Sequence, residues 1–136
     1  MDACRHFMED AIPIPNTGSL KGDLIAIRRD AREMLRSSQG QVIIALTKLQ
    51  NVNARASRHA CWQKRFEHLR PMFDRAVARG EFPRGADPIV ALQTLIAPLY
   101  FRLLVTAEPL DDWPIVESAT RLLRSYAKPS RKKPVR

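Results

Sequence analysis

The stretch ADPIVALQTLIAPLYFRLLVTAEPLDD, residues 86–112, decides how the rest of the chain is read. Asp87 followed by Pro88 is a helix N-cap with proline in the first helical position. From there Ile89, Leu92, Leu95, Ile96, Leu99, Leu103 and Leu104 recur at intervals of three and four, with Tyr100 and Phe101 beside them. More than one face of this helix is therefore apolar, whereas a surface helix needs only one. Arg102 breaks the run, which is short for a membrane span. What fits is a core helix whose apolar surface continues into a partner subunit. Pro98 lies inside the run and is expected to kink it, so that one half serves a pocket and the other half a dimer.

Downstream, residues 106–110 read as a turn and Asp111 or Asp112 as the cap of a final helix. Trp113, Val116, Thr120, Leu123 and Ala127 mark a seam along that helix, and the two apolar helices close the chain as an antiparallel pair. Upstream, Asn53 is placed to cap a long helix from about Ala54 to Arg79, with Gly80 as its left-handed C-terminal stop. Trp62, Phe66, Leu69, Phe73, Ala76 and Val77 follow helical spacing along it, and Pro71 predicts a kink. Before that, Ser38 with Gln41 matches a capping box for a helix burying Val42, Ala45, Leu46, Leu49 and Val52.

The cluster Pro15-Asn16-Thr17-Gly18-Ser19 is a turn, and Ser19 caps a helix running to about Arg36 with Asp23 in its first turn. Leu20, Leu24, Ile27, Ala31, Met34 and Leu35 supply its apolar stripe. Lys21, Arg28, Arg29, Arg32, Glu33 and Arg36 read mostly as a solvated face. Residues 1–13 read as the end of a helix and a turn leading into Pro13 and Pro15, and residues 128–136 as a basic disordered tail. Residues 14–127 then form one domain.

A chain of 136 residues buries about two thirds of the surface of its unfolded form, enough for one core. Composition is 45% hydrophobic and 27% charged with 5 glycines, which suits helices better than a sandwich of many tight turns. The formal net charge of +9 and pI of about 10.4 attract polyanions in general. Cys4 and Cys61 belong to no CxxC or Cys/His array, which points to a reducing compartment and no metal site. No secretory signal pattern is present, and the expected location is the cytoplasm.

Catalysis finds no motif. GxSxG, HExxH and Gly-rich phosphate loops are all missing, and His6, His59 and His68 share no ligand spacing. The expectation is a protein that is not an enzyme and holds no cofactor. Trp62, Phe66, Met72 and Phe73, beside a kinked helix, are candidates to line an apolar pocket, with Gln93, Ile96 and Tyr100 contributed by the opening helix. Core packing is the plainer reading of each aromatic. Arg102 needs a carboxylate or carbonyl partner, and Glu108, Asp111, Asp112 and Glu117 are near enough in sequence to compete for it.

At RAVARGEFP, ADP and LIAPLYFRLLVTAEPLDD the chain resembles the C-terminal regulatory domain of TetR/AcrR-family transcriptional regulators, and PNTGSLKGDLIAI matches the first turn and helix of the same domain type. The resemblance covers Ile14 to Tyr126, with residues 41–68 matching in helical character more than in motif. It implies an all-α bundle of about five main helices, with the last two forming a four-helix bundle in a homodimer. It also implies a cavity for a small-molecule effector. In this chain Leu92, Leu99, Tyr100, Leu103, Trp113, Val116, Thr120 and Leu123 become the candidate dimer interface. Family members read DNA through an N-terminal helix-turn-helix domain that this chain does not include. A small basic nucleic-acid-binding protein, using the Arg-rich first helix and the tail, is the alternative reading.

Overall fold

The computed structural model describes residues 14–46, 48–110 and 115–127, apart from the side chains of Gln39, Ile43 and Leu46. Expectations for residues 1–13, for the basic tail, for the Asp111 or Asp112 cap, for Trp113 and for the Leu46 side chain lie outside these. Every regular element among the described residues is helical: α1 (Leu20–Arg36), α2 (Ser38–Leu46), α3 (Val52–Ala78), α4 (Pro88–Phe101) and α5 (Ile115–Tyr126). A π-helical turn, Arg102–Thr106, extends α4. Helix α1 packs against all four others, and α4 lies against α3 and α5.

The turn before α1 is tied down from both sides. Ser19 caps the helix through Gly22 N–H, and the Thr17 N–H and hydroxyl both donate to buried Asp23 Oδ1 at 2.8 Å. Sixty-one residues later in sequence, Glu81 Oε2 accepts the Leu20 N–H at 2.9 Å while bound to Arg79, and Arg75 donates to the Pro15 carbonyl. PNTGS and RAVARGE therefore occur together because the second supplies the hydrogen bonds that a helix start leaves open.

The main core joins Leu20, Leu24 and Ile27 of α1, Phe66, Leu69, Met72 and Phe73 of α3, Leu92 and Leu95 of α4, and Ala119 and Leu122 of α5. A smaller cluster at the other end gathers Leu35, Leu99 and Leu110, with Ile44 and Leu103 partly buried against it. Gly40 makes this end possible, since a Cβ there would sit 2.1 Å from the Met34 carbonyl oxygen.

Several sequence expectations need correction. Helix α3 starts two residues early, capped by Asn51 accepting from Ala54 N–H, and α2 is entered through Ser37, whose Oγ accepts from Gly40 N–H. Val42, Leu49 and Val52 are exposed at 49%, 47% and 82%. Helix α2 has only nine residues and rests on the end of α1, so its spacing defines a face that no described element covers. Arg28 is fully buried, with a guanidinium nitrogen donating to the Leu95 carbonyl; burial, and then Arg102, push its pKa down to about 10. Cys61 is disulfide-bonded where a thiol was expected.

Both internal prolines sit in helices that run on past them, α3 to Ala78 and α4 to Phe101. Counting the π turn, Pro88–Thr106 is 19 residues long with a mean hydropathy of 1.7, long and apolar enough by those measures to cross a bilayer, and 22% of this stretch is buried. The sequence reading made it too short. Arg102 resolves its own question locally, pairing with Glu108 at 3.2 Å and donating to the Pro109 carbonyl, while Ala107 ends the turn at φ 56.

Candidate functional site

Helix α4 presents three faces, and their roles differ around the axis instead of along it. Leu92, Leu95 and Leu99 point into the protomer at 0%, 1% and 0% exposure. Gln93, Ile96, Ala97 and Tyr100 border a cleft against α3. Val90, Phe101, Leu104 and Val105 are exposed at 49–67%, forming with Thr94 and Ala97 a stripe at helical spacing that no described element covers. The division of labour expected across Pro98 is thus between faces.

The cleft has a volume of about 530 Å³, within the range of small-molecule sites. Its α3 wall is one helical face read in steps of three and four, with Trp62 and Phe66 deepest and Arg55, Arg58 and His59 at the mouth. Trp62 stacks at 5.7 Å on Phe66 and meets Tyr100 edge-on at 6.1 Å, which fixes the apolar wall. Of the residues expected to line a pocket, Trp62, Phe66, Gln93, Ile96 and Tyr100 come together here. Met72 and Phe73 do not. They are 0% and 1% exposed, and Phe73 lies two turns further along α3, where it packs on Phe82 at 5.0 Å. Arg55, Arg58 and His59 were missed, although their spacing to Trp62 and Phe66 is visible in the sequence.

Behind the cleft a narrow recess of about 20 Å³ shares Trp62, Phe66, Ile96 and Tyr100 and is closed by Arg65 and by Ile27, Ala31 and Met34 of α1; it has room for about one water molecule. The Tyr100 hydroxyl is buried without a hydrogen-bond partner among the described residues, and desolvation, only partly offset by Arg65, pushes its pKa up to about 12. Burial also drives Arg65 down and Asp30 up, each partly restrained by attraction to the other. The cleft therefore has an apolar floor, a neutral phenol and a cationic rim. Among the described residues no group of three or more His, Cys, Asp or Glu side chains is placed to hold a metal ion.

Residues expected at a dimer interface divide as well. Leu92 and Leu99 are core positions, since a side chain with no exposed surface has none left for a partner. Tyr100 belongs to the cleft and Leu103 to the smaller cluster. On α5, Val116 is exposed, Thr120 half-buried, and Leu123 packed against the main core. Ala119 and Leu122 are the residues that bury, so the inward face of α5 is turned from the expected seam.

The chain is an all-helical domain with an apolar cleft beside an uncovered apolar helix face. The chain belongs to the tetracyclin repressor-like C-terminal domain family, whose model matches residues 14–123. It is also similar to the uncharacterized HTH-type transcriptional regulator YdeS of Bacillus subtilis (strain 168), at 26% identity over 115 residues that cover 82% of this chain. The chain spans 58% of that relative's length.

Proposed function

We propose that this domain forms a homodimer through the uncovered face of α4 with Val116 of α5, and that a small-molecule effector in the α3–α4 cleft governs DNA binding by a helix-turn-helix domain outside this chain. The observation that carries the reading is the stripe from Val90 to Val105, apolar and open on a helix whose opposite face is core. An apolar stripe of this length is costly in water and calls for a partner. A second copy suits it better than a bilayer. The opposite face of α4 is built into a core with α1, α3 and α5, and Arg102, paired with Glu108, sits on the run itself. Effector binding would act by favouring one arrangement of the two protomers over another. The role is binding rather than catalysis, in the bacterial cytoplasm.

Sedimentation equilibrium of the 136-residue chain tests this directly. The expected result is a dimer at micromolar concentration, converted to a helical monomer by Phe101→Glu or Val105→Glu. A wild-type monomer would overturn the proposal. The basic nucleic-acid reading has less support, because Arg28, at the centre of the Arg-rich helix, is buried and Arg32 and Arg36 both lie against Glu33.

A further inference from the structure

Resting on the reading of the cleft as an effector site, we infer that its ligand class is an anion with a flat apolar body, such as an aromatic carboxylate, held with its charge toward Arg55 and His59 and its body on Trp62. Three observations converge. Among the described residues no acidic side chain lines the cleft or the recess behind it, whereas the mouth carries three basic side chains within five residues of α3. Trp62 and Tyr100, edge to face at 6.1 Å, form an apolar corner one helical turn from His59, with the Trp62 ring as its flat side. Inside, Arg65 is buried and attracted by the carboxylate of Asp30, whereas Arg55 and His59 are exposed at the mouth.

The mouth residues divide the work. Arg58 donates to the Leu49 carbonyl at 3.0 Å and so holds the α2–α3 connection beside the cleft. Arg55 and His59, four residues apart on α3, stand one above the other on the same face and are both exposed. A carboxylate there accepts charge-assisted hydrogen bonds that a neutral isostere cannot match. Neutral polar atoms of the ligand find Gln93 on the α4 side of the cleft. A cationic ligand of the same shape meets like charge at the mouth and nothing to offset it in the lining.

The test is calorimetric titration of the full chain with naphthaleneacetate, naphthaleneacetamide and naphthylmethylammonium, which share a body and differ in charge, at about 150 mM salt to damp the general attraction of a basic protein. The anion is expected to bind on the order of tenfold more tightly than the amide, with the cation weakest. The double variant Arg55→Gln, His59→Gln should erase most of that preference, while Arg29→Gln on the exposed side of α1 should leave it intact. Equal or better binding of the amide or the amine, with Trp62→Ala still abolishing it, would overturn the charge selection and leave the effector cleft standing. Preference for the anion that falls equally with Arg29→Gln would assign it to net charge and overturn the inference. Failure of all three probes to bind would count against the inference and the effector site together.

Discussion

Tyr100 shows how much one side chain depends on its surroundings. Its ring completes the cleft wall while its hydroxyl is buried without a partner among the described residues, and its pKa is pushed up to about 12. In the unfolded chain the phenol ionises near 10, so above that pH the folded state holds a proton the unfolded state has released. The stability this group confers is complete below about pH 10 and is lost as pH rises toward 12. Tyr100→Phe should remove that alkaline loss and, having no hydrogen bond to break, be neutral or stabilising by up to about 1 kcal/mol at pH 7. Urea melts of both proteins at neutral pH and near pH 10.5 would show it; a loss above about 1 kcal/mol at neutral pH would mean that the hydroxyl is satisfied after all. Gly40 makes the complementary point about space. An added methyl would strike backbone at 2.1 Å, so Gly40→Ala should cost about 1–3 kcal/mol, whereas Gly85→Ala, with nothing within 4 Å, should cost little. Thermal denaturation of the pair separates the two cases.

At the scale of elements, caps were the most legible feature and buried faces the least. Ser19, Asp87 and Gly80 act where the sequence places them, because each uses only its own chain neighbours. Asn51 takes the role expected of Asn53, a shift of two residues between chemically identical candidates. The partner of Leu20 N–H, in contrast, comes from Glu81, and no local pattern announces a bond across 61 residues. Glu81→Ala should therefore weaken α1 as well as its own loop, at a cost of about 1 kcal/mol or somewhat more. Hydrogen exchange at Leu20 is the direct readout, and unchanged protection there would show that the cap is idle. Helix α2 illustrates the opposite failure. Its apolar positions were sound as a pattern, but a pattern does not say whether a neighbour exists, and here Val42 and Leu49 face outward.

For the whole molecule, the critical distinction lies between the inner and outer faces of α4. Leu99 is fully buried and belongs to the smaller cluster beside Leu35 and Leu110, so Leu99→Ala should cost about 2–5 kcal/mol through the cavity it leaves. Val105 is 67% exposed, so Val105→Glu should leave the protomer's fold unchanged while removing its partner. A homodimer ties folding to association, and its midpoint of thermal unfolding rises with protein concentration. That dependence is expected for the wild type and for Leu99→Ala, and should vanish in Val105→Glu. A concentration-independent wild type would separate this helix from any dimer.

The sequence by itself determined the all-α class, the order and approximate ends of the helices, the caps at Ser19 and Asp87, and the family, because periodicity and capping are local properties written in adjacent positions. It also marked α4 as too apolar for a single packed face. Only the tertiary structure decided how those faces are used: Leu92 and Leu99 inward, Ile96 and Tyr100 at the cleft, Phe101 and Val105 outward. The reason is geometric. Helical spacing fixes which side chains share a face, but the direction of that face depends on elements far away in sequence. Arg28 turned inward and the mouth of Arg55 and His59 formed beside Trp62 for the same reason, through packing that the chain reaches only when it is folded.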